Sequence, residues 1–215
     1  MPIPVADVVE MVRESISDTT APYRYSDGFI LRRINQAVQR AVVLRPDLFT
    51  DVYALTCVAG SLQSAPADSV RVMDVLANSD GRAVKEINQE VLDLTLPTWE
   101  NTPAGPATDW MRYPRDPNRF YVYPSAIAGA QLTILYAKTP VAVTTVSGNI
   151  PMALAYQPAI TDCVIWLAEA IDAEHVESGR AKMFQDSFTN QLTAGLSARR
   201  ITDTDSAALP REEQT

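Results

Sequence analysis

Residues 109–140, DWMRYPRDPNRFYVYPSAIAGAQLTILYAKTP, form the least helical stretch of the chain and lie between two regions of helical periodicity. A fold for this sequence must therefore hold a β element between helices. Residues 121–123 and 131–136 are rich in β-branched and aromatic side chains and are bounded by Pro, Gly, Asn and Asp, which reads as two strands. Between Tyr113 and Phe120, Pro114 and Pro117 fix φ and Asn118 tolerates positive φ, so the chain reverses there. Residues 109–113 are expected to pair antiparallel with 120–123.

Upstream, Val5, Val8, Val9, Val12 and Ile16 recur at helical spacing, and Pro4 suits a first turn, which predicts an amphipathic helix over 4–17. Ser26 or Asp27 caps a second helix with the apolar stripe Ile30, Ile34, Ala37, Val38, Ala41 and Val42, ending before Pro46. Arg32, Arg33, Gln36, Gln39 and Arg40 on its other face read as solvated, and Asn35 beside the stripe reads as a satisfied buried polar group. The period then shortens. Residues 52–58 read as a strand, 59–61 as a turn and Leu62 with Gln63 as a short return. Residues 69–77 form another strand, closed by a hairpin signal at Asp80-Gly81. A short helix over 87–96 stops at Pro97, and 101–108 reads as an exposed, mobile loop.

Helical periodicity returns after Pro151. Pro158 suits the first turn of a helix reaching about Val176, with Ile160, Cys163, Val164, Leu167, Ala168 and Ile171 on a wide apolar face. Gly179 breaks it, and a last helix over 180–198 carries Ala181, Phe184, Phe188 and Leu192 on one side. Residues 199–215 are polar without a period and are expected to stay disordered unless a partner holds them. The first helical pair cannot bury its stripes alone, so it is expected to close on the second pair. The expected fold is α+β and mainly α: an antiparallel four-helix bundle from 1–50 and 141–198, an inserted antiparallel β module over 51–140, and an extended C-terminal tail over 199–215.

Inventory argues against chemistry. The single histidine, His175, cannot supply a metal triad or a base with a partner, and no serine or cysteine sits in a nucleophile elbow. No phosphate-cradling glycine loop is present. No catalytic residue, metal or cofactor is expected. Cys57 and Cys163 lie far apart inside apolar segments and read as buried free thiols. A formal charge of -8 argues against a phosphate clamp, while leaving open a surface that DNA slides past. Trp110, Tyr113, Phe120, Tyr121 and Tyr123, with Arg112, Arg115 and Arg119, are the rival signal for a base-stacking nucleic-acid module. Against it, Tyr121 and Tyr123 share one strand face and Phe120 and Val122 the other, as a sheet packed on both sides requires. No window reaches eighteen apolar residues, so no membrane span is expected, and the N-terminus carries acids where a signal peptide starts basic. A cytosolic protein, or one assembled in the cytosol, is the expectation.

The series Arg45-Pro46-Asp47, Leu92-Asp93, Pro97-x-Trp99, Trp110-Met111-Arg112-Tyr113, Asp116-Pro117-Asn118-Arg119-Phe120-Tyr121-Val122-Tyr123-Pro124, Tyr136-Ala137-Lys138-x-Pro140 and Gly179-Arg180-Ala181 resembles head-to-tail adaptor proteins of tailed bacteriophages. The resemblance spans about 26–198. It implies a structural protein of the virion neck, assembled in the host cytoplasm as a homo-oligomeric ring of about twelve copies. Such a ring docks on the portal protein above, meets a tail or nozzle protein below, and lets DNA pass without sequence-specific binding. A neck stopper or tail-completion protein is the nearest alternative. Within that frame, Ile165 and Trp166 beside Asp162 and Glu169 point to a back face of the long helix that meets a neighbouring subunit. Residues 140–178 hold five acids and no Lys or Arg, so Asp162 and Glu169 are also the candidate face of a DNA channel. The tail is the candidate portal-docking segment, with Ile201 and Leu209 entering pockets and Arg199, Arg200 and Arg211 meeting acids.

Overall fold

The computed structural model describes residues 1–170 and 178–207. In chain order these contain β1 (Pro2–Pro4), α1 (Val5–Ser15), α2 (Asp27–Leu44), β2 (Thr50–Thr56), β3 (Gly60–Ser64), β4 (Ser69–Asn78), β5 (Lys85–Glu86), α3 (Gln89–Thr95), β6 (Asp109–Arg112), β7 (Arg119–Ala126), β8 (Gln131–Lys138), β9 (Asn149–Ala153), α4 (Gln157–Glu169) and α5 (Ser178–Ala207). The chain divides into a helical unit, Met1–Arg45 with the chain from Pro140 onward, and a β unit, Pro46–Thr139.

In the helical unit, α1 buries the expected valines, and α2 buries the whole expected stripe. Ser26 caps α2, its Oγ accepting from the Phe29 amide at 3.2 Å. Asn35 is indeed a satisfied polar group. Its amide donates to the Val143 carbonyl at 2.9 Å and accepts from the Val143 amide at 2.8 Å, tying α2 to the segment before β9. Between α1 and α2 the chain is clamped by Arg13, which donates to Asp18 at 2.8 Å, to the Tyr25 carbonyl at 3.0 Å and to Asp27 at 2.7 Å.

The unit is not the expected four-helix bundle. A bundle helix buries one stripe, whereas α4 buries Ala159, Ile160, Thr161, Cys163, Val164, Ile165, Leu167, Ala168 and Glu169, residues that go most of the way around it. It is a central helix, and α1, α2 and α5 each pack against it. The same unit contains a two-stranded antiparallel ribbon, β1 with β9, which aligns Ile3 with Ile150 and buries both. Its prolines are tolerated because every strand of a two-stranded ribbon is an edge. Five α-helices and nine strands among the described residues also make "mainly α" too strong. Helix α5 continues through Ala207, where an extended tail was expected from Arg199. The expected reach of the long helix to Val176, and His175 with it, lies outside the described residues.

Cys163 is fully buried in this core, and burial pushes its thiol from 9.0 up to about 12, with nearby Arg40 pulling the other way. The thiol ionises more easily in the unfolded chain, so this site's contribution to stability is intact below pH 9 and is lost as pH rises toward 12. Burial raises the Cys57 thiol as well. The expected result is that iodoacetamide leaves both cysteines unmodified in the folded protein at pH 8.5 and alkylates both in urea, read by intact mass. Rapid alkylation of Cys163 without denaturant would place it at the surface.

The β unit consists of two sheets, ordered β2-β8-β4 and β3-β7-β6-β5. The expected pairing of β6 with β7 is present, with Asp109 opposite Tyr123 and Arg112 opposite Phe120. One core lies between the sheets: Leu55, Val72, Val75, Ile134 and Tyr136 from the first meet Trp110, Phe120 and Val122 from the second. Alternation along the strands sends Met111, Tyr121 and Tyr123 to the other face, where Leu92 of α3 and Trp99 cover them. The module is not wholly antiparallel, because β5 pairs with β6 in parallel. Nor is β3 the return strand of β2; it pairs with β7 while β2 pairs with β8. The 101–108 loop is tied down rather than free. Asn78 exchanges two hydrogen bonds with the Ala107 backbone, and the Gly105 amide donates to the Ser125 carbonyl at 2.9 Å.

Candidate assembly site

The helical unit carries an open groove of about 670 Å³ between α2, α4 and α5. Its α2 wall supplies Arg33, Gln36, Arg40 and Val43, and its floor is Trp166 and Phe188. The Arg40 guanidinium lies 4.2 Å over the Trp166 ring and that of Arg33 lies 4.7 Å over Phe29, so both cations are positioned by aromatic faces. Among the described residues neither has a carboxylate partner, and Arg40 Nη1 and Arg33 Nε are buried without a hydrogen-bond acceptor. Val43 is 79% exposed at the rim, an apolar side chain that the described residues leave uncovered. A surface of this kind recognises an acidic partner with some apolar content.

Of the residues the sequence singled out, Trp166 is half-buried in this groove, whereas Ile165 is 2% exposed and packs within its own unit. Asp162 and Glu169 are held by α5. Asp162 accepts from Ser187 at 2.7 Å and Gln191 at 2.8 Å, and Glu169 is 8% exposed with one oxygen 3.1 Å from Arg180. Their carboxylates are thus engaged by their own chain, because α5 lies along the side of α4 that sequence alone left open. Arg199, Arg200 and Ile201 fall on the α5 backbone, and Leu209 and Arg211 lie outside the described residues. Arg33 and Arg40 were read as a solvated face; the available signal was that α2 carries arginines and no acid after Asp27.

The aromatic side chains of the β unit's set are engaged in packing, while Arg115 and Arg119 stay exposed. Trp110 and Phe120 are fully buried and edge-on to one another, and Tyr121 meets Trp99 and Tyr113 edge-on. Arg112 donates to Glu86 at 2.6 Å and to the Met73 carbonyl at 3.0 Å. Among the described residues no group of three His, Cys, Asp or Glu is placed to hold a metal ion, and no helix is long and apolar enough to cross a membrane.

Of the two units, the helical one presents an arginine- and aromatic-lined groove. A family model described as SU10 adaptor protein matches residues 3–211, and the chain belongs to that family of phage head-to-tail adaptors. No curated protein matches the chain.

Proposed function

We propose that this phage adaptor forms a ring in the virion neck, beneath the portal protein and above a tail or nozzle protein, and leaves a channel through which DNA passes. The observation that carries this reading is the family match over nearly the whole chain, residues 3–211. A formal charge of -8 supports passage without adhesion, since an acidic wall repels the phosphate backbone. The segment after Ala198 is the portal-docking element. Arg199, Arg200 and Arg211 are suited to acids on the portal, and Ile201 and Leu209 to apolar pockets. Each copy binds weakly, and a ring gains by presenting many such segments at once.

Mixing the purified chain with its portal protein is expected to give a single larger species in size-exclusion chromatography, with a ring of adaptor density on the portal in electron micrographs. Separate elution at micromolar concentration would overturn the portal linkage. Truncation after Ala198 is expected to keep the melting temperature within about 2 °C, because it removes the end of α5 and residues 208–215 and leaves the buried side chains of both units in place, and to abolish co-elution. Unchanged co-elution of the truncated chain would move the docking surface elsewhere on the protein.

A further inference from the structure

The exposed faces of α1 and α2 are opposite in charge. On α1, Asp7, Glu10 and Glu14 are exposed with Met11 among them, and the one base of that helix, Arg13, is buried in its clamp. On α2, Arg32, Gln36 and Val43 are exposed, Arg33 and Arg40 lie half-buried beside them, and no acid follows Asp27. Among the described residues none of these acids and none of these arginines has an ion-pair partner within the chain. Asp7 and Glu14 are seven residues apart, as are Arg33 and Arg40. Two turns at 1.5 Å per residue put about 10 Å between the charges on each helix, so the two faces match in spacing as well as sign. The helices flank α4 separately, each packing on it. One copy therefore cannot satisfy its own groove with its own α1, while a second copy can.

We propose that the occupant of the α2–α4–α5 groove is the acidic face of α1 from a second copy of this chain. Asp7 and Glu14 meet Arg33 and Arg40, and Met11 lies near Gln36 at the centre of the contact. The two patches differ, so the interface is heterologous: each copy gives one face and receives the other, and repetition closes a ring or extends a filament. This rests on the ring reading above and supplies it with a contact. Trp166 fits the role of anchor, since it already holds Arg40 flat beneath the partner's acids.

Cysteine crosslinking tests it. Native Cys57 and Cys163 are buried and stay silent, so a short bismaleimide reports only introduced thiols. Met11→Cys and Gln36→Cys sit at the centres of the two faces and meet whichever way the helices run. Neither variant alone should crosslink to itself, an equimolar mixture should give a heterodimer, and the double variant should give a ladder, all assayed with and without portal protein. A strong homodimer from either single variant, or no product from the mixture when wild type assembles, overturns the contact. Charge reversal gives a second readout: R32E/R33E and D7K/E10K/E14K should each weaken assembly at least about ten-fold, and mixing them should restore it as an alternating ring. Circular dichroism and melting temperature confirm that the variants fold. Variants that assemble like wild type overturn this interface alone, whereas wild type that stays monomeric with portal present overturns the ring and the contact together.

Discussion

Replacing Asp18 by Ala is expected to destabilise the helical unit by about 3–5 kcal/mol, the usual cost of breaking a buried ion pair from one side. Asp18 follows α1 and is buried. Its carboxylate accepts from Arg13 at 2.8 Å, from the Arg24 amide at 2.7 Å and from the Tyr25 amide at 3.1 Å. Removing it leaves the buried Arg13 guanidinium with only the Tyr25 carbonyl and the half-exposed Asp27 as partners, and strands two backbone donors at once. Asp27 is the built-in control. It also pairs with Arg13, at 2.7 Å, but its side chain is 58% exposed, so Asp27→Ala should cost no more than about 1 kcal/mol. Urea unfolding of the two variants should therefore separate them widely. Equal losses would mean that the loop between α1 and α2 is held by something other than the buried carboxylate. If Arg13→Met with Asp18→Leu recovers much of the loss, the pair matters for uniqueness of the turn more than for net stability.

What the sequence made legible follows from the range of the interactions that leave a trace in it. Periodicity and caps are local, so α1, α2 and the β6–β7 turn fell where Val5 to Val12, Ser26 and Pro114 to Asn118 placed them. Strand partnering is not local. Nothing near Leu62 says that it lies opposite Tyr121, and nothing near Lys85 says that it lies parallel to Asp109. The ribbon of β1 and β9 was hidden because Pro2, Pro4 and Pro151 argue against strands in general and only a two-stranded context tolerates them. The wrong bundle has a cause that was visible in part. Ile165 and Trp166 broke the polar face of α4, which signals a helix covered on several sides, yet a subunit contact explains the same pattern. Burial resolved the two residues differently: Ile165 belongs to the core, and Trp166 opens on the groove. The arginines of the groove left almost no trace, because a solvated arginine and one held on an indole ring look alike in sequence.

Trp110→Ala should be the most damaging single change in the β unit, at about 3–5 kcal/mol, because nothing nearby can collapse into the space of a fully buried indole. Trp110 sits on β6 with its ring edge-on to Phe120, centroids 6.3 Å apart, in the core shared by both sheets. Its indole Nε1 is buried without a hydrogen-bond acceptor. That unmade bond costs about 1–3 kcal/mol in the native protein, and Trp110→Phe removes it while keeping a ring against Phe120. Loss of volume and relief of the unpaired donor oppose one another, so the Phe variant should lie within about 1 kcal/mol of wild type. Denaturant midpoints of the two variants, followed by near-ultraviolet circular dichroism, decide between packing and polarity as the larger effect at this site. If Trp110→Phe costs as much as Trp110→Ala, the indole N–H has a partner in solution that offsets its burial, and the shape of the six-membered ring alone does not hold the two sheets together.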